Sequence, residues 1–237
     1  MFHKIIKAYK ENGIGLHVGN TNTLCASMAK DGKMMHAGGG MSITDVAFFF
    51  GLSKIFTPSR IFCIGNASGY GTLTLAEIFN CPIDVIDAEI EGEFNATGSE
   101  LTRKISEQYF DNRITLFSGF SPQDLEKCIG DNKYDLVFID GLHTNEQQKL
   151  DFDGMQPFLK DDCLFYLHDV ELTKMQQGFQ KLKENNLAYN GYSVDFSTFG
   201  CKSMVRGLPI VKEWLELIDE SPVEDWRKPK AHLYYKP

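Results

Sequence analysis

Hydrophobic residues in this chain recur in two patterns, short continuous runs and stripes with helical spacing. Runs rich in Ile, Val, Leu and Phe occupy residues 61–64, 83–86, 114–117, 135–139 and 163–167. Such runs are typical of strands that are buried on both faces of a parallel sheet. Stripes with helical spacing separate most of these runs, over residues 72–79, 99–109, 121–129 and 172–184. This alternation predicts an α/β fold with a doubly wound, mostly parallel sheet.

The N-terminal part of the chain does not follow this alternation. Residues 2–10 predict an amphipathic helix, and the glycine-rich residues 12–41 predict a short strand or loop followed by a flexible lid over 31–41. Ser42 and Asp45 have the spacing of a capping box, which predicts that a helix begins there.

The C-terminal part also departs from the alternation. Residues 189–196 and 199–205 predict two strands of an antiparallel hairpin at the sheet edge, with a further helix after them. The predicted organisation is an N-terminal helix and lid extension over 1–41, a main domain over 42–220 and a C-terminal tail over 221–237.

Charge and apolar content exclude several classes of function. The chain has 24 Lys and Arg residues against 32 Asp and Glu residues, a net charge of −8, which argues against nucleic acid or an anionic membrane as the main partner. The longest apolar run, Val46 to Leu52, is too short to span a bilayer, and we expect no signal peptide. Six cysteines without a CxxC pair exclude a zinc ribbon and indicate a reducing cytoplasm.

The most informative segment runs from Arg60 to Thr72, where a predicted strand is followed by a glycine-rich turn and a helix start. The free amides of such a turn favour a polar or anionic ligand. Ala67 and Tyr70 stand where the dinucleotide pattern GxGxxG requires glycine, so a nicotinamide oxidoreductase is the least favoured enzyme class. The remaining GxxxG pattern is also compatible with a plain tight turn.

Carboxylates follow the second predicted strand. Asp87 lies 22 residues after Gly65, and Glu89 points the same way if the strand continues. A carboxylate at this position of a doubly wound sheet can accept hydrogen bonds from ribose hydroxyls. We favour Asp87 for this role, with Glu89 as the alternative.

These features resemble the class I S-adenosylmethionine-dependent methyltransferases, which have an hhxhGxxxG loop, an acid after strand two and a terminal antiparallel hairpin. The chain looks most like a small O-methyltransferase-like group with FIDGxH after strand four and HD after strand five. These motifs stand here as Phe138 to His143 and as His168-Asp169, and Gly38 to Ser42 is also similar to that group. The resemblance implies a seven-stranded Rossmann-like sheet with S-adenosylmethionine as cofactor.

The resemblance also implies roles for individual residues at the strand ends. The methionine part of the cofactor would be wrapped by the loop formed by Gly65, Asn66, Ala67, Ser68 and Gly69, which Thr72 helps to cap. Ribose would be held by Asp87 with Ala88 beside it, and adenine would be flanked by Gly119, Phe120 and Ser121. Asp140 would face the sulfonium and the acceptor.

An oxygen acceptor needs a base or a Lewis acid to manage its proton. His143 is a candidate base, although the catechol-type relatives have lysine at this offset, and its alternative role is to cap a helix that begins near Thr144. Asp140, His168 and Asp169 are candidate ligands for Mg²⁺ or Mn²⁺, and the histidine also suits Zn²⁺ or Fe²⁺. The alternative is that His168 and Asp169 form a structural hydrogen-bonded pair.

The sequence therefore predicts a cytoplasmic enzyme that methylates a small-molecule acceptor at oxygen, with or without the help of a divalent metal. Two other functions stay open: a metal-dependent, hydroxylase-like enzyme that does not methylate, and a catalytically silent S-adenosylmethionine-binding module. The N-terminal helix and the aromatic tail are candidate contacts of a homodimer.

Overall fold

The chain begins with a helix and a small antiparallel sheet in this computed structural model, which describes residues 2–17, 25–90, 95–170, 177–195 and 200–219. After α1 (Phe2–Glu11) come β1 (Gly15–His17), β2 (Cys25–Lys30) and β3 (Lys33–Ser42), which pair in that order.

The segment 31–41 was predicted to be a flexible lid. It instead forms the turn and most of the second strand of a hairpin between β2 and β3. Asp31 and Gly32, with φ of 50° and 73°, form its turn. Asp-Gly favours a tight hairpin turn that needs positive φ at both residues, and this was the signal in the sequence.

The main sheet has the predicted seven strands. They are β4 (Ile61–Ile64), β5 (Ile83–Asp87), β6 (Ile114–Ser118), β7 (Tyr134–Ile139), β8 (Leu159–Leu167), β9 (Asn190–Asp195) and β10 (Cys201–Arg206). The helices of this part are α2 (Ile43–Leu52), α3 (Tyr70–Ile78), α4 (Asn95–Tyr109), α5 (Leu125–Ile129), α6 (Asn145–Met155), α7 (Gly178–Asn185) and α8 (Pro209–Ile218).

The strand order is β6-β5-β4-β7-β8-β10-β9, with β4 to β8 parallel and β10 antiparallel to both of its neighbours. Ile64 of β4 is paired with Ile86 of β5 and with Ile139 of β7. The carboxyl ends of these strands therefore lie at one level, and ligands of open α/β sheets bind outside this edge.

Adjacent residues of each central strand contribute to opposite faces of the sheet. Phe138 and Tyr166 pack with α1, α2, α3, α4 and α8, whereas Val137 and Phe165 pack with α5, α6 and α7. All four side chains are at most 2% exposed, which explains the continuous apolar runs. The doubly wound, mostly parallel α/β fold with its antiparallel hairpin is confirmed.

Two helix predictions differ from the structure. The helix expected from Ser121 begins instead at Leu125, because the Asp124 carboxylate accepts a hydrogen bond from the Phe120 amide (2.8 Å) and holds the preceding residues in a turn. The described part of the helix expected over 172–184 is Gly178–Asn185. Residues 171–176 and the predicted tail over 221–237 lie outside the described residues.

The capping box at the start of α2 is confirmed, since the Ser42 hydroxyl accepts from the Asp45 amide and the Asp45 carboxylate accepts from the Ser42 amide. Within the described ranges, we find no helix with the length and hydropathy of a membrane span.

Candidate functional site

The loop after β4 makes a close approach to the end of β7. Gly65 has φ of 95°, and a Cβ atom there would lie 2.1 Å from the main-chain oxygen of Asp140. Gly69 has φ of 87°, and a Cβ atom would lie 2.0 Å from Thr102 Oγ1. Only glycine allows this path at either position, because other residues disfavour this backbone region and the space is already filled.

Asp87, at the end of β5, organises the same loop. Its Oδ2 atom accepts hydrogen bonds from the amides of Asn66 (2.6 Å) and Ala67 (3.1 Å), and its Oδ1 atom accepts from the Glu89 amide (2.7 Å). The Thr72 hydroxyl donates to Asn66 Oδ1 (3.0 Å) from the first turn of α3. A carboxylate from one strand and a hydroxyl from the helix therefore hold the loop in place.

An open cleft of about 200 Å³ lies above this edge of the sheet. Nine of the predicted cofactor-binding residues line it: Gly65, Asn66, Ala67, Asp87, Ala88, Gly119, Phe120, Ser121 and Asp140. Three others, Ser68, Gly69 and Thr72, are not part of its lining, and Ser68 and Thr72 are buried behind the loop. Phe120 is 54% exposed, so its ring is available to a ligand.

The two candidate carboxylates after β5 differ in position. Asp87 lines the cleft, whereas Glu89 lies outside its lining and pairs with Arg103 at 3.7 Å. The geometry favours Asp87 as the carboxylate that faces a ligand.

Gln147 and Asp151 of α6 also line the cleft and were missed by sequence reasoning. Gln147 Nε2 donates to the main-chain oxygen of Ser121 (2.7 Å) and to Asp151 Oδ1 (2.8 Å). Burial raises the pKa of Asp151 to about 6, although Ser121 and Gln147 favour its ionised form. The spacing of four residues on a helix was the available signal, and it does not distinguish a cleft residue from a surface pair.

Four titratable side chains meet where β7 and β8 end: Asp140, His143, His168 and Asp169. His143 Nε2 lies 3.3 Å from Asp140 Oδ1 and 3.3 Å from Asp169 Oδ2. His168 Nδ1 lies 3.1 Å from Asp140 Oδ1 and 3.1 Å from Asp169 Oδ1. The three predicted metal ligands and the predicted base are therefore neighbours.

The alternative role of His143 as a helix cap is not supported. The cap of α6 is Thr144, whose hydroxyl accepts a hydrogen bond from the Gln147 amide (3.1 Å). The His143 side chain, 38% exposed, contacts the two carboxylates instead.

The electrostatics of this cluster favour positive charge. Burial lowers the pKa of His168, but the surrounding negative groups, Asp140 first among them, raise it well above its usual value. The hydrogen bond with Asp140 raises the pKa of His143 against the effect of burial. Burial raises the pKa of Asp140, but the charge of His168 and the hydrogen bonds from both histidines lower it below its usual range. The same negative charge attracts a cation.

The donor atoms fit a divalent cation. His168 Nδ1 lies 3.1 Å from both Asp140 Oδ1 and Asp169 Oδ1, so three atoms that can bind a metal converge at one place. This set of one imidazole nitrogen and two carboxylate oxygens is compatible with binding of a single divalent ion. Two imidazoles with two carboxylates suit Mn²⁺, Fe²⁺ or Zn²⁺ better than Mg²⁺, which prefers oxygen ligands.

Asp45 lies behind the cluster. Sequence reasoning named it as a capping residue and missed its place in this site. Its Oδ2 atom lies 3.1 Å from His168 Nε2, and its Oδ1 atom accepts hydrogen bonds from the Tyr166 hydroxyl and the Cys201 thiol. Burial raises the pKa of Asp45, but the charge of His168 and these hydrogen bonds outweigh it and lower the pKa to about 2. In the sequence, the capping box gave Asp45 a role at the start of α2, and no pattern indicated its contact with His168.

Comparison with a protein-family model matches residues 62–170 to a family described as a methyltransferase domain. The matched residues include the glycine loop, the acid after β5 and all four members of the histidine and carboxylate cluster. Comparison with curated proteins finds no match.

Solved structures share the fold at low sequence identity. An O-methyltransferase from Bacillus cereus in complex with S-adenosylhomocysteine is 16% identical, with a TM-score of 0.58 over 72% of this chain and 84% of that chain. TomG from Streptomyces achromogenes, an O-methyltransferase involved in tomaymycin synthesis and solved with S-adenosylmethionine, is 14% identical, with a TM-score of 0.59 over 86% and 88%. The methyltransferase PaMTH1 from Podospora anserina, bound to S-adenosylhomocysteine, is 16% identical, with a TM-score of 0.56 over 70% and 79%.

Proposed function

We propose that this chain, whose residues 62–170 match a methyltransferase domain, is a class I S-adenosylmethionine-dependent methyltransferase that methylates an oxygen atom of a small-molecule acceptor. The observation that carries the proposal is the meeting of two sites at one sheet edge. The glycine loop and Asp87 line one cleft with Asp140, and Asp140 is also a member of the histidine and carboxylate cluster.

Three parts of the cleft would bind three parts of the cofactor. The loop over 65–69 holds the methionine part, Asp87 accepts hydrogen bonds from the ribose hydroxyls, and the residues 119–121 flank the adenine. Asp87 also accepts from two loop amides, which keeps the loop ordered before the cofactor arrives. The exposed ring of Phe120 stacks on the adenine.

The cluster manages the acceptor's proton. Asp140, His168 and Asp169 would hold a divalent cation, which supplies Lewis acidity that lowers the pKa of two acceptor hydroxyls. His143, more exposed than the other three side chains, accepts the proton that leaves the acceptor oxygen. The convergence of His168 Nδ1, Asp140 Oδ1 and Asp169 Oδ1 supports the assignment of the cation.

The experiment measures release of S-adenosylhomocysteine with a panel of phenolic and catecholic acceptors, with added Mg²⁺, Mn²⁺ or Zn²⁺ or with a chelator. We expect turnover with a divalent ion, and loss of about 100-fold in kcat for Asp169→Asn and His143→Ala. Asp153→Asn is the matched control, since it removes an exposed carboxylate that pairs with Lys149 on α6.

Other outcomes separate the alternatives. Product that requires Fe²⁺ and oxygen, without release of S-adenosylhomocysteine, would favour a hydroxylase-like enzyme. Cofactor binding without turnover of any acceptor would favour a silent binding module. Turnover that a chelator and the Asp169→Asn variant leave unchanged would remove the metal from the proposal and leave His143 as the base.

A further inference from the structure

Asp45 connects the N-terminal part of the chain to the cluster at the ends of β7 and β8. It lies in the first turn of α2, 123 residues from His168 in sequence, and is 1% exposed. Its carboxylate is surrounded by four donors: the Ser42 amide, the Tyr166 hydroxyl, the Cys201 thiol and His168 Nε2. A buried carboxylate with this many donors has a fixed orientation.

The contact with Asp45 determines which nitrogen of His168 carries the proton. A carboxylate accepts hydrogen bonds, so Nε2 at 3.1 Å must donate, and the neutral imidazole that binds a metal ion then has its lone pair on Nδ1. Nδ1 lies 3.1 Å from Asp140 Oδ1 and from Asp169 Oδ1. The lone pair therefore points to the place where the two carboxylates converge.

The donors around Asp45 come from separate parts of the fold. Ser42 ends β3, Tyr166 lies on β8 and Cys201 begins β10, so the position of the carboxylate is fixed by elements that do not touch the cleft. His168 itself is 4% exposed. Its ring orientation is set by the partner of its other nitrogen, which is the usual role of a carboxylate behind a metal-binding histidine.

We propose that Asp45 is a positioning residue that holds His168 with Nε2 protonated, so that Nδ1 binds the divalent cation at Asp140 and Asp169. The proposal rests on the metal site of the proposed function. Asp45 does not touch substrate, cofactor or ion, and it acts through His168 alone. Helix α2 thereby supports the metal site, although its sequence carries no metal-binding motif.

The test measures binding of Mn²⁺ by the loss of the free-ion signal in electron paramagnetic resonance, for the wild-type chain, Asp45→Asn and Tyr166→Phe. Asp45→Asn keeps the size of the side chain and removes its charge, and we expect Mn²⁺ affinity to fall about 10–100-fold. Tyr166→Phe removes another hydrogen bond to the same carboxylate, and we expect its affinity to stay within about threefold of the wild type because the contact with His168 remains.

A second measurement needs no variant. In the ¹⁵N-histidine-labelled wild-type chain loaded with Zn²⁺, we expect His168 Nδ1 to show the shift of a metal-bound nitrogen and Nε2 to keep its proton. Coordination through Nε2, or equal Mn²⁺ affinity in Asp45→Asn and the wild type, would overturn the role of Asp45 while leaving the metal site standing. Failure of the wild-type chain to bind either ion would overturn the metal site and the role of Asp45 together.

Discussion

The carboxylate of Asp87 lies 2.6 Å from the amide nitrogen of Asn66, so the acid after β5 holds the glycine loop after β4. Asp87 therefore has two roles, since the same side chain orders the loop and faces the cleft. The same carboxylate oxygen accepts from the Ala67 amide as well, so two consecutive residues of the loop are held by one side chain.

Replacing Asp87 with alanine should weaken binding of S-adenosylhomocysteine by at least about 100-fold. Hydrogen bonds to a charged group are worth about 1.5–3 kcal/mol each, and the variant loses those to the ribose. Calorimetric titration measures the change, with Glu89→Gln as the control, since Glu89 lies outside the cleft lining and should change affinity by less than about threefold. Equal losses in the two variants would leave the ribose role unassigned.

Gly65→Ala should lower the free energy of unfolding by more than about 2 kcal/mol, because a Cβ atom would lie 2.1 Å from the Asp140 oxygen. Gly13→Ala is a matched control: Gly13 also has positive φ, 77°, but a Cβ atom there meets nothing within 4 Å. We expect this control to lose about 1 kcal/mol, the cost of the backbone conformation alone. Denaturant unfolding of both variants measures the difference, and equal losses would contradict the close approach of the loop to β7.

Asp151→Asn should change how stability depends on pH. Burial raises the pKa of Asp151 to about 6, so the folded chain holds this proton more tightly than the unfolded chain does. The wild-type chain should therefore lose stability relative to the variant as pH rises from about 4 to about 6, by about 3 kcal/mol. Asparagine keeps the oxygen that accepts from Gln147. Thermal unfolding at pH 4, 5, 6 and 7 measures the difference. Parallel curves for the two chains would show that the pKa of Asp151 is the same in the folded and the unfolded chain.

The fold was predictable because its central strands are buried on both faces, which leaves continuous apolar runs in the sequence. Positions at the strand ends, such as Gly65, Asp87 and Asp140, were predictable from their place after those runs. The hairpin of β2 and β3 was missed although Asp31-Gly32 marks its turn, because the surrounding glycines suggested a flexible segment.

Residues brought to the site from distant parts of the chain were not predictable from local patterns. Asp45 carries the signature of a helix cap and has that role. Only the tertiary fold shows that its Oδ1 atom also accepts hydrogen bonds from Tyr166 of β8 and Cys201 of β10. Asp151 and Gln147 have the spacing of an ordinary helix pair, and their place in the cleft depends on the packing of α6 beside the loop that contains Ser121.

Calorimetric titration of the wild-type chain measures whether the cleft at the ends of β4, β5 and β6 binds S-adenosylmethionine. We expect S-adenosylmethionine and S-adenosylhomocysteine to bind with micromolar dissociation constants and NAD to give no heat of binding. Absence of binding by both sulfur compounds, or binding of NAD in their place, would contradict the account.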